Sequence, residues 1–131
     1  MHVLVAEDED QIALMYEVLL QSAGHTSVRV ADGDSCLELY EKDPNAFDIV
    51  LLDYRMPKRD GLSVASRIFK VNPEQEIIMI TAYVDVLIAE VVKALEHSIT
   101  TMQKPVDPEL LNKMIEDQVR SRRAGKQAAV S

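Results

Sequence analysis

The chain has 131 residues, 47% of them apolar and 27% charged, and a formal net charge of −8. That length and mix fit one ordinary globular domain with a real core, and exclude a disordered tail, a coiled coil or a disulfide scaffold. The acidic balance argues against nucleic acid as a direct partner; no apolar run approaches the roughly 18 residues that span a bilayer; and the single cysteine, Cys36, points to a reducing, cytoplasmic location.

Met1-His2-Val3-Leu4 lacks the basic flank and apolar stretch of a signal peptide. The first strand is Val3-Leu4-Val5-Ala6, a short apolar run without polar alternation, which is how a strand covered on both faces reads. It leads into Glu7-Asp8-Glu9-Asp10. A helix follows, with Ile12, Met15 and Leu19 predicted on its inner face and a stop at Ala23-Gly24-His25. Thr26 to Val30 alternates and suits a sheet edge. Cys36 to Tyr40 makes a brief helical face, with Cys36 a small apolar filler. Ile49-Val50-Leu51-Leu52 is the second apolar run and ends in Asp53. Leu62, Ala65, Ile68 and Phe69 form the face of a third helix, closed by Asn72-Pro73. Ile77-Ile78-Met79-Ile80 ends in Thr81-Ala82. Val84, Leu87, Ile88, Val91, Val92 and Leu95 make the wide stripe of a fourth helix, read first as core and second as a partner or dimer surface. Ile99 to Met102 is half polar, as at the opposite edge, and precedes Lys104-Pro105. Asp107-Pro108 supplies a cap and an N1 proline for a last helix carrying Leu111, Ile115 and Val119. Beyond it, Arg120, Arg122, Arg123 and Lys126 stand without an acid among them; a solvated helix end is the plain reading, and a short nucleic-acid or membrane contact the sharper one. His2, His25 and His97 show no metal-ligand spacing and are assigned to surface or loop roles.

Strand-helix alternation five times over predicts an α/β fold: a doubly wound five-stranded parallel sheet of order 2-1-3-4-5 with helices on both faces. Residues 1–119 make the domain and 120–131 a basic tail, with no linker or second domain.

In that fold the first and third strands are neighbours, so Glu7, Asp8 and Asp53 should meet at the switch point beyond their carboxyl ends. Each pair of carboxylates at about 4 Å costs roughly 4 kcal/mol at an effective dielectric near 20. Raised pKa values or a bound cation relieve this, and hard oxygens with room for water suit Mg²⁺. The bland alternative is that Asp8 or Asp10 merely caps the next helix, or that the acidic run is plainly solvated, and that Asp53 is a turn residue. The other strand ends weigh against it. Thr81 brings a hydroxyl and Lys104 an ammonium to the same rim, completing the parts for phosphoryl transfer: Asp53 as nucleophile, Lys104 and a cation against the oxygen charge, and Thr81 as a hydrogen-bond donor.

The motifs Val3-Leu4-Val5-Ala6-Glu7-Asp8-Glu9, Asp48 to Pro57 continuing to Asp60-Gly61, Ile80-Thr81-Ala82 and Lys104-Pro105 resemble those of response-regulator receiver domains of two-component signalling, from residue 2 to about 119. The resemblance implies that Asp53 is phosphorylated by a phosphohistidine on a sensor histidine kinase or phosphotransfer protein. It implies that Asp8, Asp53 and the backbone carbonyl of Arg55 bind Mg²⁺, with Glu7 acting through water, and that Lys104 pairs with Asp53 or its phosphate. It also implies a cis bond before Pro105 and a switching surface on the fourth helix, fifth strand and fifth helix, where a downstream protein docks. Three positions depart from the family pattern. Glu7 replaces the usual Asp, Thr101 stands where an aromatic is usual, and His97 stands where a turn glycine is common. Tyr83 is a candidate substitute for the missing aromatic. Arg55 and Tyr83, two residues past Asp53 and Thr81, are both large and should lengthen the life of the phosphoryl group.

Two other readings compete. One is a protein-binding module of the same fold that works without phosphate, motivated by Thr101. The other is a hydrolase using an aspartate nucleophile, as in the haloacid-dehalogenase type; it calls for a second acid where this chain has Arg55. A phosphate-binding flavin site would be repelled by the four acids after the first strand. Slow self-dephosphorylation at most is expected, not turnover.

Overall fold

In the computed structural model, residues 1–82 and 99–130 are described. Five strands form one parallel sheet: β1 (His2–Ala6), β2 (Thr26–Val30), β3 (Ile49–Asp53), β4 (Glu76–Thr81) and β5 (Ile99–Gln103), in the order β2-β1-β3-β4-β5. The described helices are α1 (Asp10–Ser22), α2 (Gly33–Lys42), α3 (Gly61–Val71) and α4 (Pro108–Val130). The expected topology is the one observed, with the half-polar strands β2 and β5 at the edges. The fourth helix expected over Val84 to Leu95, and Tyr83 and His97 with it, lie outside the described residues.

Side chains alternate across the pleat, so each apolar strand feeds two cores. Leu4, Val50, Leu52, Ile77 and Met79 pack with α2 and α3 through Cys36, Leu37, Tyr40, Val64, Ile68 and Phe69. Val3, Val5, Ile49, Leu51, Ile78 and Ile80 pack with α1 and α4 through Tyr16, Leu20, Leu111 and Ile115. Cys36 is fully buried, and its thiol is pushed up to about 12 by that burial, which leaves it inert. His2 lies within β1, its ring stacked on Phe47 at 5.1 Å and bonded through Nδ1 to Thr26 Oγ1 at 2.7 Å.

The inner face of α1 differs from expectation. Ala13, Tyr16 and Leu20 are buried, while Met15 is 40% exposed and Ile12 and Leu19 sit at the margin. The stripe at 12, 15 and 19 is one residue out of phase, because Leu14 and Val18 widen the apolar surface beyond the buried strip. Helix ends follow the expected chemistry. After α1, Gly24 takes φ +86, and the His25 and Gly24 amides donate to Leu20 and Gln21 carbonyls, the paired bonds of a glycine-terminated helix. Asp107 accepts from the Glu109 amide at 3.0 Å, capping α4, which runs unbroken across the boundary expected at residue 119.

Asp60 caps α3 by accepting from the Ser63 amide at 2.8 Å. Gly61 follows because the chain passes close to the end of β3: its amide donates to the Tyr54 carbonyl at 2.7 Å. A Cβ there would sit 2.8 Å from the Asp53 carbonyl oxygen and 2.9 Å from Tyr54 Cα. Both neighbours are backbone and cannot swing aside. Gly61→Ala should therefore cost about 1–3 kcal/mol and lower the thermal midpoint by several degrees, as measured by circular dichroism.

Candidate functional site

Parallel strands end on one side of the sheet, and the register decides which residues meet there. Ala6 pairs with Leu52, so Glu7 and Asp53 leave the sheet side by side. Asp53 pairs with Ile80, placing Thr81 one step beyond it, and Thr81 pairs with Gln103, so Lys104 comes next. The Lys104 amide donates to the Thr81 carbonyl at 2.8 Å and closes this rim. Four expected site residues, Glu7, Asp53, Thr81 and Lys104, are thus delivered by four adjacent strands. Asp8 joins them from the loop after β1.

Ligand oxygens of Glu7, Asp8 and Asp53 lie within 4.8 Å of one another. Glu7 and Asp53 are 1% and 5% exposed, whereas Asp8 faces solvent. Lys104 Nζ donates to Asp53 Oδ2 at 3.0 Å and stands 3.7 Å from Glu7 Oε2. Glu7 Oε1 accepts from the Glu9 amide at 3.3 Å, but Oε2 is buried with no hydrogen-bond partner among the described residues. The Arg55 side chain is exposed. Thr101, also exposed, lies on β5 away from this rim.

The capping alternative for the acidic run does not hold. The N-cap of α1 is Glu9, with no side-chain capping bond, and Asp10 pairs with Arg29 at 2.8 Å. The electrostatics bear the mark of crowding. Burial, then the charge of Asp53, raises the Glu7 carboxyl from its ordinary 4.5 to about 7, with Lys104 pulling the other way. Burial works against charge on Lys104, yet the hydrogen bond and charge of Asp53 leave its ammonium held above the usual range. Tyr16, buried on α1, is also raised, by burial and then by Glu7 and Asp53. A buried carboxylate oxygen without a donor, two more carboxylates within reach and one open side are the donor set and water access that a hard divalent cation takes.

Several residues that shape this site carry no short-range signal. Arg29 reads as an outward charge in an alternating edge strand, yet its Nε donates to the Glu7 carbonyl at 2.9 Å. Tyr16 falls outside the stripe of Ile12, Met15 and Leu19 that the sequence puts inward, yet it is buried. Lys58 takes φ 69 in the loop after β3, a conformation that its residue type does not announce.

A raised carboxyl pKa has a definite sign. Between about 4.5 and about 7 the folded chain keeps a proton on Glu7 that the unfolded chain has released. This contribution to stability is whole below 4.5 and lost as pH rises towards 7. In EDTA, wild-type protein should lose thermal stability across that window. Glu7→Gln should flatten this part of the profile and melt several degrees above wild type at pH 8, as followed by differential scanning calorimetry.

Known proteins share this architecture. The profile of the response regulator receiver domain matches residues 3–116. Transcriptional regulatory protein DltR of Streptococcus agalactiae is 42% identical over 82 residues, which is 63% of this chain and 36% of that protein. Sensor kinase CckA of Brucella abortus is 34% identical over 83 residues, 63% of this chain and 9% of that protein. The chain spans about a third of the length of the transcriptional regulators it matches. Among solved structures, chemotaxis protein CheY4 of Vibrio cholerae superposes with a TM-score of 0.79 at 26% identity, covering 88% of this chain and 96% of that one. A receiver domain protein from Clostridium thermocellum gives 0.84 at 24% identity, covering 94% and 97%, a likeness of fold alone. With the profile spanning nearly the whole sheet and its rim, the chain belongs to the response regulator receiver domain family.

Proposed function

We propose that the protein is a phosphorylation-controlled switch in which Asp53 accepts a phosphoryl group from a phosphohistidine on a sensor histidine kinase or phosphotransfer protein. The observation that carries this reading is the 3.0 Å pairing of Lys104 with a nearly buried Asp53, beside two more carboxylates. Asp53 attacks phosphorus in line. A P–O bond forms as the P–N bond breaks, its electron pair returns to the imidazole, and the proton on the other ring nitrogen leaves that ring neutral. Lys104 transfers its pairing from the carboxylate to a phosphoryl oxygen, and Thr81 donates its hydroxyl to another. Asp8, Asp53 and the Arg55 carbonyl are the proposed Mg²⁺ ligands, with Glu7 reaching through water. The cation, when bound, offsets charge on the transferring oxygens.

The surroundings support a protein as donor. A largely apolar hollow of about 440 Å³, lined by Ile12, Met15, Tyr16, Lys104, Pro105 and Val106, opens beside the site. Leu14 and Val18 continue it as exposed apolar surface along α1. The peptide bond before Pro105 is cis, as the family pattern implies. No described helix is long and apolar enough to cross a membrane. No second acid stands at Arg55, which supports slow self-dephosphorylation at most rather than sustained hydrolysis. Output through the surface of the fourth predicted helix, β5 and α4 belongs to the same proposal.

Incubation with a small phosphodonor and Mg²⁺ should add the mass of one phosphoryl group, read by intact-protein mass spectrometry. The gain should vanish in Asp53→Ala and with EDTA. A wild-type chain that stays unmodified would favour the phosphate-independent binding module.

A further inference from the structure

Residues 29–34, from the end of β2 to the start of α2, contribute no candidate ligand, yet they grip both loops that do. On one side, Arg29 Nε donates to the Glu7 carbonyl at 2.9 Å and its Nη1 to Asp10 Oδ1 at 2.8 Å. These two contacts bracket Asp8. Nη2 is buried without a hydrogen-bond partner among the described residues, so the guanidinium is packed against the protein rather than free in solvent. The Glu7 amide also donates to the Val30 carbonyl at 3.0 Å.

On the other side, the start of α2 holds the loop after β3. The Gly33 amide donates to the Pro57 carbonyl at 3.3 Å, Arg59 Nε pairs with Asp34 at 2.6 Å, and Lys58 Nζ lies 3.8 Å from Asp32. The approach is tight enough that a Cβ on Gly33 would sit 2.6 Å from both the Arg59 carbonyl oxygen and Arg59 Cβ. Lys58, between these anchors, keeps its left-handed φ of 69.

We infer that residues 29–34 are a positioning element for the divalent cation: Arg29 sets the Glu7–Asp8 segment, and the Asp34–Arg59 pair sets the loop that carries the Arg55 carbonyl. The inference rests on the cation site proposed above. Its physical basis is that Mg²⁺ demands near-ideal octahedral geometry, so a small drift of either loop weakens binding. Exposed ion pairs contribute little to global stability. Positioning and stability therefore separate experimentally.

Mg²⁺ is titrated calorimetrically into the metal-stripped full chain, and thermal midpoints are recorded in EDTA. Wild type, Asp53→Ala, Arg29→Ala, Arg29→Lys and Asp34→Ala are compared. Arg29→Ala should weaken Mg²⁺ binding about tenfold and Asp34→Ala several-fold. The midpoint should stay within about 3 °C of wild type for Asp34→Ala, whose pair is exposed, and within about 6 °C for Arg29→Ala, which also loses one partly buried hydrogen bond. Arg29→Lys, able to keep one of the two bonds, should fall between Arg29→Ala and wild type. Should Arg29→Ala fail to fold, Arg29→Lys and Asp34→Ala decide the matter. Variants that bind within twofold of wild type overturn the inference, as does weakening that only tracks a large fall in the midpoint. A wild type without Asp53-dependent Mg²⁺ binding overturns the cation site itself, and this inference with it.

Discussion

Glu7 and Asp53 carry like charges, yet the backbone leaves them no way to separate. Ala6 and Leu52 are paired in the ladder, so the next residue of each strand emerges at the same rim. Both carboxylates are nearly buried, and Asp8 adds a third from the adjacent loop. Lys104 offsets part of the repulsion, bonding Asp53 at 3.0 Å and standing farther, at 3.7 Å, from Glu7. Burial first, and then what remains of this repulsion, raise the Glu7 carboxyl to about 7. A divalent cation bound at the rim would relieve this crowding, and Lys104 is placed where an added phosphoryl oxygen on Asp53 would draw it away.

The rest of the fold holds those groups at their separations. Three apolar strands, β1, β3 and β4, alternate their side chains into two cores, which fixes the register that the rim depends on. Gly61 lets the start of α3 press against the backbone of Asp53 and Tyr54. Gly33 allows a comparable approach between α2 and the loop after β3. In both places the missing side chain serves a close backbone contact, so stability and site geometry are set by the same few atoms. Backbone contacts of this kind respond steeply to added volume, whereas the exposed Asp34–Arg59 pair contributes little to stability.

Much of this was legible from residue order. Uninterrupted apolar runs marked the central strands, half-polar runs marked the edges, and parallel connectivity placed the ends of β1, β3, β4 and β5 together. Glu7, Asp8, Asp53, Thr81 and Lys104 follow from that placement alone. The phase of α1 did not, because Leu14, Met15 and Val18 make most of that helix apolar while only Ala13, Tyr16 and Leu20 are buried. Periodicity identifies the helix but not which part of a broad stripe turns inward. Arg29 was hidden for a different reason: its bond to the Glu7 carbonyl depends on the pairing of β1 with β2, and nothing local to residue 29 distinguishes it from a solvated charge. The capping role open to Asp8 was settled only by the helix start at Asp10, with Glu9 as N-cap.

On this reading the converging carboxylates form one cation site beside the acceptor oxygen. The most direct measurement is anomalous scattering from a crystal of the protein soaked with Mn²⁺ in place of Mg²⁺. The expected result is a single strong peak in contact with the carboxylates of Asp8 and Asp53, with Lys104 still facing Asp53. A crystal with that rim open to solvent and no peak there, or with the carboxylates of residues 8 and 53 turned to separate places, would contradict it.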